Sequence, residues 1–174
     1  SSDVCSSDLI EWMTDNPLEL ADDELLFAEL NNNPAAAQQQ WALVAFANET
    51  PAPIAGAEIR RSRWTSSTAA VAGAWTNVIA TPDDNLQPGE YAVVGLRPQS
   101  ATNIAARFVF QSAPEQRPGA LGGASAISKT DKMFRDGRLG VWGQFPFTLL
   151  PTIDVLCAAA DATQEFEVDL VKIG

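Results

Sequence analysis

Histidine is absent from the 174 residues, and with it go the commonest general base, the commonest metal ligand and any Ser-His-Asp triad. The groups left to do chemistry are carboxylates. Asp22/Asp23 and Asp83/Asp84 are adjacent pairs, and Glu165, Glu167 and Asp169 recur at every second position. Two carboxyls about 5–9 Å apart can hydrolyse a glycosidic bond when one is held protonated. The surroundings argue for a plainer use. Pro82 and Asn85 bracket Asp83/Asp84 as a solvated turn is bracketed, and acids alternating with Phe166, Val168 and Leu170 are what the outer face of a sheet carries. The expectation is a chain that is not an enzyme. Asp83, Asp84 and Asn85 do set hard oxygen donors on one loop, which makes them the candidate calcium ligands, but no EF-hand spacing surrounds them. The glycines at 119–123 lack the Gly-Lys-Ser/Thr ending of a phosphate loop. No cofactor is expected.

Recognition chemistry rests with arginines and aromatics. Arg60, Arg61 and Arg63 crowd around Trp64, and Arg135 and Arg138 precede Trp142, Phe145 and Phe147, which sit among glycines and Pro146. Nucleic acid is a poor partner for this set, because 22 acidic side chains oppose 11 basic ones and a net negative surface repels phosphate. Contact with another protein surface suits it better. Trp41 and Trp75 open apolar runs and are expected in the core, whereas Trp64 and Trp142, beside Arg and Gly, are the candidates for exposed contacts. A row of exposed Trp side chains would instead make a sugar-stacking platform, so a lectin-like module is the alternative reading.

The elements that must position these groups are strands. From Thr163 to Ile173 the apolar side chains fall on one face and the acids on the other, and on a helix the same residues would leave no apolar stripe. Trp41–Ala47, Trp75–Ala80, Tyr91–Leu96, Arg107–Phe110 and Pro151–Cys157 show the β-branched and aromatic character of further strands. Turn chemistry separates them: Thr81-Pro82-Asp83-Asp84-Asn85, Gln87-Pro88-Gly89-Glu90, Arg117-Pro118-Gly119 and Asp136-Gly137. Residues 18–30 are readable as a helix opening on Asp22-Asp23-Glu24 or as a strand paired with Trp41–Ala47, the strand being preferred. Pro118 to Arg138 reads as a long surface excursion. With 11 Gly, 11 Pro and 46% hydrophobic residues, and no helical patterns between the strands, the fold expected is all-β: one antiparallel sandwich, jelly-roll-like. No run of eighteen apolar residues is present, so a soluble chain with no membrane partner is expected.

Residues 1–9, SSDVCSSDL, resemble the translation of a common sequencing adaptor and are expected to lie outside the fold, leaving 10–174 as one domain truncated at its N-terminus. Without them the count is 20 acids against 11 bases, a net charge of −9. Cys157 then stands alone as a small apolar core residue, and a thiolate zinc site is not expected.

Gly89-Glu90-Tyr91-Ala92-Val93-Val94-Gly95-Leu96-Arg97, with Ala106–Phe110 and Arg117-Pro118-Gly119, and then Phe134-Arg135 through Leu139–Phe145 to the Asp161–Lys172 tail, resemble the β-sandwich structural proteins of environmental viruses and phages. About half the chain carries the likeness. It implies a capsid or other shell component located in the virion, acting through homo-oligomeric packing, and it carries over no catalytic or binding residue. The composition points the same way, since a monomer this apolar and this poor in charge exposes patches that self-association would bury. Arg60, Arg61, Arg63, Trp64, Arg135, Arg138, Trp142, Phe145 and Phe147 are the interface residues expected.

Overall fold

The structure, a computed structural model, describes residues 54, 58–100, 102–111, 114–118 and 135–174. Residues 1–9, the ambiguous stretch 18–30 with Asp22 and Asp23, the Trp41–Ala47 strand and most of the excursion between Pro118 and Arg138 lie outside them. Eight strands follow in order: β1 (Arg60–Ser66), β2 (Trp75–Val78), β3 (Thr81–Pro82), β4 (Glu90–Pro98), β5 (Asn103–Val109), β6 (Gly143–Pro146), β7 (Thr152–Cys157) and β8 (Gln164–Lys172). The described residues hold no helix, and every strand pairing is antiparallel. The expected all-β sandwich is what forms.

Five strands make one sheet in the order β3-β1-β8-β4-β6, and three make the other, β2-β7-β5. With the two-residue β3 set aside, the pairing is nested. The first strand pairs with the last, β2 with β7, and β4 with β6. A long antiparallel ribbon rolled onto itself gives this nesting, and it is the jelly-roll arrangement of two facing sheets. The chain crosses from one sheet to the other between β2 and β3, where Ile79 and Ala80 link Val78 to Thr81. Pro82, which has no N–H to give, sits on the outermost strand, where none is needed.

Alternation decides which side chains meet in the middle. Trp64, Phe166, Val168, Leu170, Val93, Leu96, Tyr91 and Phe145 come from the larger sheet. Val78, Ala106, Phe108, Ile153, Val155 and Cys157 come from the smaller, and all are buried in one cluster. The sheets lock through aromatics. Trp64 stands edge-on to Phe108 across the sandwich at 6.4 Å and to Phe145 of its own sheet at 6.1 Å, and Phe145 stacks on Tyr91 at 5.7 Å. Edge-on and offset rings satisfy the ring quadrupoles while excluding water.

Two turns behave as their residues dictate. Gly89 adopts φ 147°, and a Cβ there would collide with the carbonyl of Gly174 and the stem of Lys172. Asp136 and Gly137 take φ 59° and 68°, left-handed conformations that Asp tolerates and Gly adopts freely. That turn returns the chain over the outer face of β4, with the Gly137 N–H donating to the Val94 carbonyl at 3.2 Å.

Candidate functional site

The outer face of β1, β8 and β4 carries a charge lattice. Register sets Arg61 opposite Asp169 and Thr65 opposite Glu165 on one side of β8, and Arg97 opposite Glu167 on the other. Arg61 Nε donates to Asp169 Oδ1 at 3.0 Å, Arg63 pairs with Glu165 at 2.8 Å, and Arg97 lies 3.7 Å from Glu167. Arg135 descends onto the centre of this face. It donates to both oxygens of Asp169, at 2.9 and 3.3 Å, and to Glu167 at 2.7 Å. The backbone N–H of Asp136 completes the shell around Asp169 at 2.9 Å.

Burial by itself would push the Asp169 carboxyl up. The hydrogen bonds from Arg135, Asp136 and Arg61 outweigh it and hold the group below its ordinary value of 3.8. Burial alone would lower Arg135, and its bonds to Asp169 and Glu167 hold it raised. An outer face expected to be solvated is therefore covered at Asp169, which has no exposure at all. Period-2 reading places a carboxylate on the outward side but cannot see a segment some thirty residues earlier folding over it. The same fact corrects the expectation for Arg135: it is buried, spent on its own chain and not on a partner.

Other expected contact residues are corrected in the same way. Trp64 and Phe145 are core residues, exposed by 0% and 3%. Alternation sends Ser62, Trp64 and Ser66 inward and Arg61, Arg63 and Thr65 outward, whatever the neighbours' polarity. Trp142 is half-buried and packs edge-on to Phe108 at 6.5 Å. Trp75, expected in the core, is 42% exposed, because Val78 and Ala80 take the inward positions and leave Trp75, Asn77 and Ile79 outward. Arg60, Arg61 and Arg63 are exposed but face acids of their own chain, Asp84 at 3.5 Å, Asp136 at 2.9 Å and Asp83 at 3.5 Å respectively. Arg138 and Phe147 are exposed as expected.

The calcium candidates dissolve for a related reason. Asp83 accepts from Thr65 Oγ1 at 2.9 Å and pairs with Arg63, while Asp84 turns to Arg60. Among the described residues no group of three or more Cys, Asp or Glu could hold a metal ion.

A second polar cluster ties three loops together. Asp161 accepts from Ser100 Oγ and from Thr102 Oγ1, the latter at 2.7 Å, and its backbone exchanges hydrogen bonds with Ala70. These hydroxyl donors hold its carboxyl below the ordinary range. Asp161 thus joins the β4–β5 and β7–β8 connections to the loop after β1. Beside it Cys157 is fully buried, and burial pushes its thiol up. A thiol both inaccessible and protonated is unreactive. In the native protein Cys157 is expected to resist iodoacetamide and to react once guanidinium unfolds the chain. Peptide mapping by mass spectrometry separates it from Cys5, and rapid native labelling of Cys157 would contradict its placement.

Exposed apolar side chains lie just past the ends of β6 and β8. Phe147, Leu149 and Ile173 are 39%, 45% and 48% exposed. Leu149 sits one turn after Phe147, its N–H donating to the Pro146 carbonyl, whereas Phe147 and Ile173 flank β4 from opposite sides, donating to Gly89 and Glu90, each bond at 2.9 Å. Sequence reading names Phe147 but misses Leu149 and Ile173. Nothing local in their segments says that the following turn leaves them uncovered. No protein family, no curated protein and no solved structure matches the chain.

Proposed function

We propose that this chain is a shell-forming structural protein, a virion capsid or coat component, that works by packing its jelly roll against further copies of itself. The observation that carries the reading is β6, an edge strand of the larger sheet that pairs with β4 alone among the described residues, with the exposed Phe147 and Leu149 on the turn that follows it. These side chains gain nothing from water, and an edge strand offers its unpaired backbone groups to a further copy. The rest of the surface supports the same role. Among the described residues many carboxylates are bound by arginines and hydroxyls of the same chain, Asp169 by Arg61 and Arg135, Glu165 by Arg63 and Asp161 by Thr102. The jelly roll suits the proposal because two closed sheets make a stiff block whose edges and loops can tile.

Multi-angle light scattering on the full chain is expected to show oligomers that grow with concentration. The double substitution Phe147→Asp/Leu149→Asp is expected to return the protein to monomer with its far-ultraviolet spectrum unchanged. A wild-type chain that stays monomeric at millimolar concentration would overturn the proposal, as would oligomers indifferent to the double substitution. Electron microscopy of the concentrated protein distinguishes closed particles from open stacks.

A further inference from the structure

The outer face of the smaller sheet carries a cleft of about 430 Å³ lined by Asn77, Val109, Gln111, Glu115, Arg117 and Thr152, a volume within the range of about 300–1,000 Å³ that small-molecule sites occupy. Behind two of the lining residues, Asn77 and Arg117, lies Asp154, 6% exposed and bonded to both. Asn77 Nδ2 donates to Asp154 Oδ1 at 2.8 Å and to Thr152 Oγ1 at 2.9 Å. Arg107 Nε lies 3.0 Å from Asp154 Oδ2 and Arg117 Nε 3.4 Å, and Arg117 Nη2 reaches Glu115 at 2.7 Å. The buried carboxylate is thus the hub that fixes an amide and two guanidinium groups around the opening. Two residues along β2 from Asn77, on the same face, stands Trp75. Arg107 lies over its ring, 4.5 Å from the centroid, and the Trp is 42% exposed.

We propose that this cleft binds a neutral saccharide, with Trp75 as the stacking surface and Asn77, Gln111, Thr152 and Arg117 as the hydrogen-bonding set. Three features select that class of ligand. Charge is balanced, since Arg107 and Arg117 face Asp154 and Glu115, so an anion finds no excess of positive potential and a cation no excess of negative. The lining mixes donors and acceptors, as a polyol requires. With both amide protons of Asn77 spent on Thr152 and Asp154, its Oδ1 is left to accept, while guanidinium edges and the Gln111 amide donate. An exposed indole held in place by a cation offers an apolar face to sugar C–H groups at little entropic cost, because Arg107 already restrains the ring. Trp75 and Asn77 lie on β2 of the smaller sheet and the edge proposed for self-packing on β6 of the larger, so either proposal can fail without the other.

The test titrates the full chain with lactose, maltotriose, cellotriose and chitotriose, read by tryptophan fluorescence and calorimetry, with sialyllactose and a heparin disaccharide as anionic controls. At least one neutral sugar is expected to bind with a millimolar or tighter constant. Trp75→Ala and Asn77→Ala are each expected to weaken it by about tenfold or more, as loss of a stacking or orienting contact does. Trp75 is exposed, so Trp75→Ala is expected to melt near the wild type, whereas Asn77→Ala takes a donor from the buried Asp154 and is expected to melt lower, its far-ultraviolet spectrum showing that it is still folded at the titration temperature. Absence of binding by all four neutral sugars would overturn the proposal. So would binding that survives both substitutions, or a preference for the anionic controls.

Discussion

Asp169→Ala is expected to lower the free energy of unfolding by about 3 kcal/mol, the low end of the cost of removing one partner from a buried ion pair, because Arg135 keeps only Glu167. Asp169 has no exposure and Arg135 has 5%, so the guanidinium left behind cannot recover its hydration without unfolding the 135–140 segment from the sheet. Urea titration followed by circular dichroism reads the loss. The double substitution Asp169→Leu/Arg135→Met removes both charges and is expected to recover much of it, because apolar residues of similar volume bear no desolvation penalty. A loss below about 1 kcal/mol for Asp169→Ala would mean that Arg135 does not cover this face, the value then being that of a surface pair.

The same residue gives the protein an acid-sensitive step. The folded carboxyl lies below the ordinary value of 3.8, so the unfolded chain takes up the proton first as pH falls. The stabilisation from Asp169 is fully present above about pH 4 and is lost as pH drops through the folded value. Asp161, lowered by Ser100 and Thr102, adds in the same direction. Asp169→Asn is expected to flatten the acid limb of the stability profile. An unchanged limb would remove Asp169 from the account.

Trp64→Ala carries the second large expectation, a loss of about 3–5 kcal/mol from lost transfer free energy and the cavity left between the sheets. Trp64 is fully buried and touches rings from both sheets. Trp64→Phe supplies the contrast. Among the described residues the buried indole N–H has no hydrogen-bond partner, so the smaller ring gives up packing while also removing an unsatisfied donor. It is expected to cost less than half as much as alanine. Equal losses for Phe and Ala would mean that the indole N–H has a partner after all and that polar satisfaction, not volume, governs the site.

Strand rhythm was legible wherever the apolar residues were numerous. Thr163–Ile173, Tyr91–Leu96 and Pro151–Cys157 read as strands and form β8, β4 and β7. Pro88-Gly89 and Asp136-Gly137 read as turns, and Gly89, Asp136 and Gly137 have positive φ. β1 was less legible because its inward side carries Ser62, Trp64 and Ser66, a set with one apolar member, while its outward arginines dominate the composition. The candidate contacts suffered most. Trp64 and Trp75 exchanged places, since one residue of register moves a side chain from the core to solvent and neighbouring polarity does not set the register.

What the sequence determined by itself was local: extended segments from period-2 alternation, reversals from Pro and Gly, and the exclusion of histidine chemistry from composition. These follow from sterics and from side-chain chemistry that each residue carries wherever it lies. Tertiary structure alone decided that Arg135 would bury Asp169 and that Asp154 would gather Asn77, Arg107 and Arg117. Each of those outcomes joins groups tens of residues apart, and their energies depend on distance and desolvation, which exist only once the two sheets have closed.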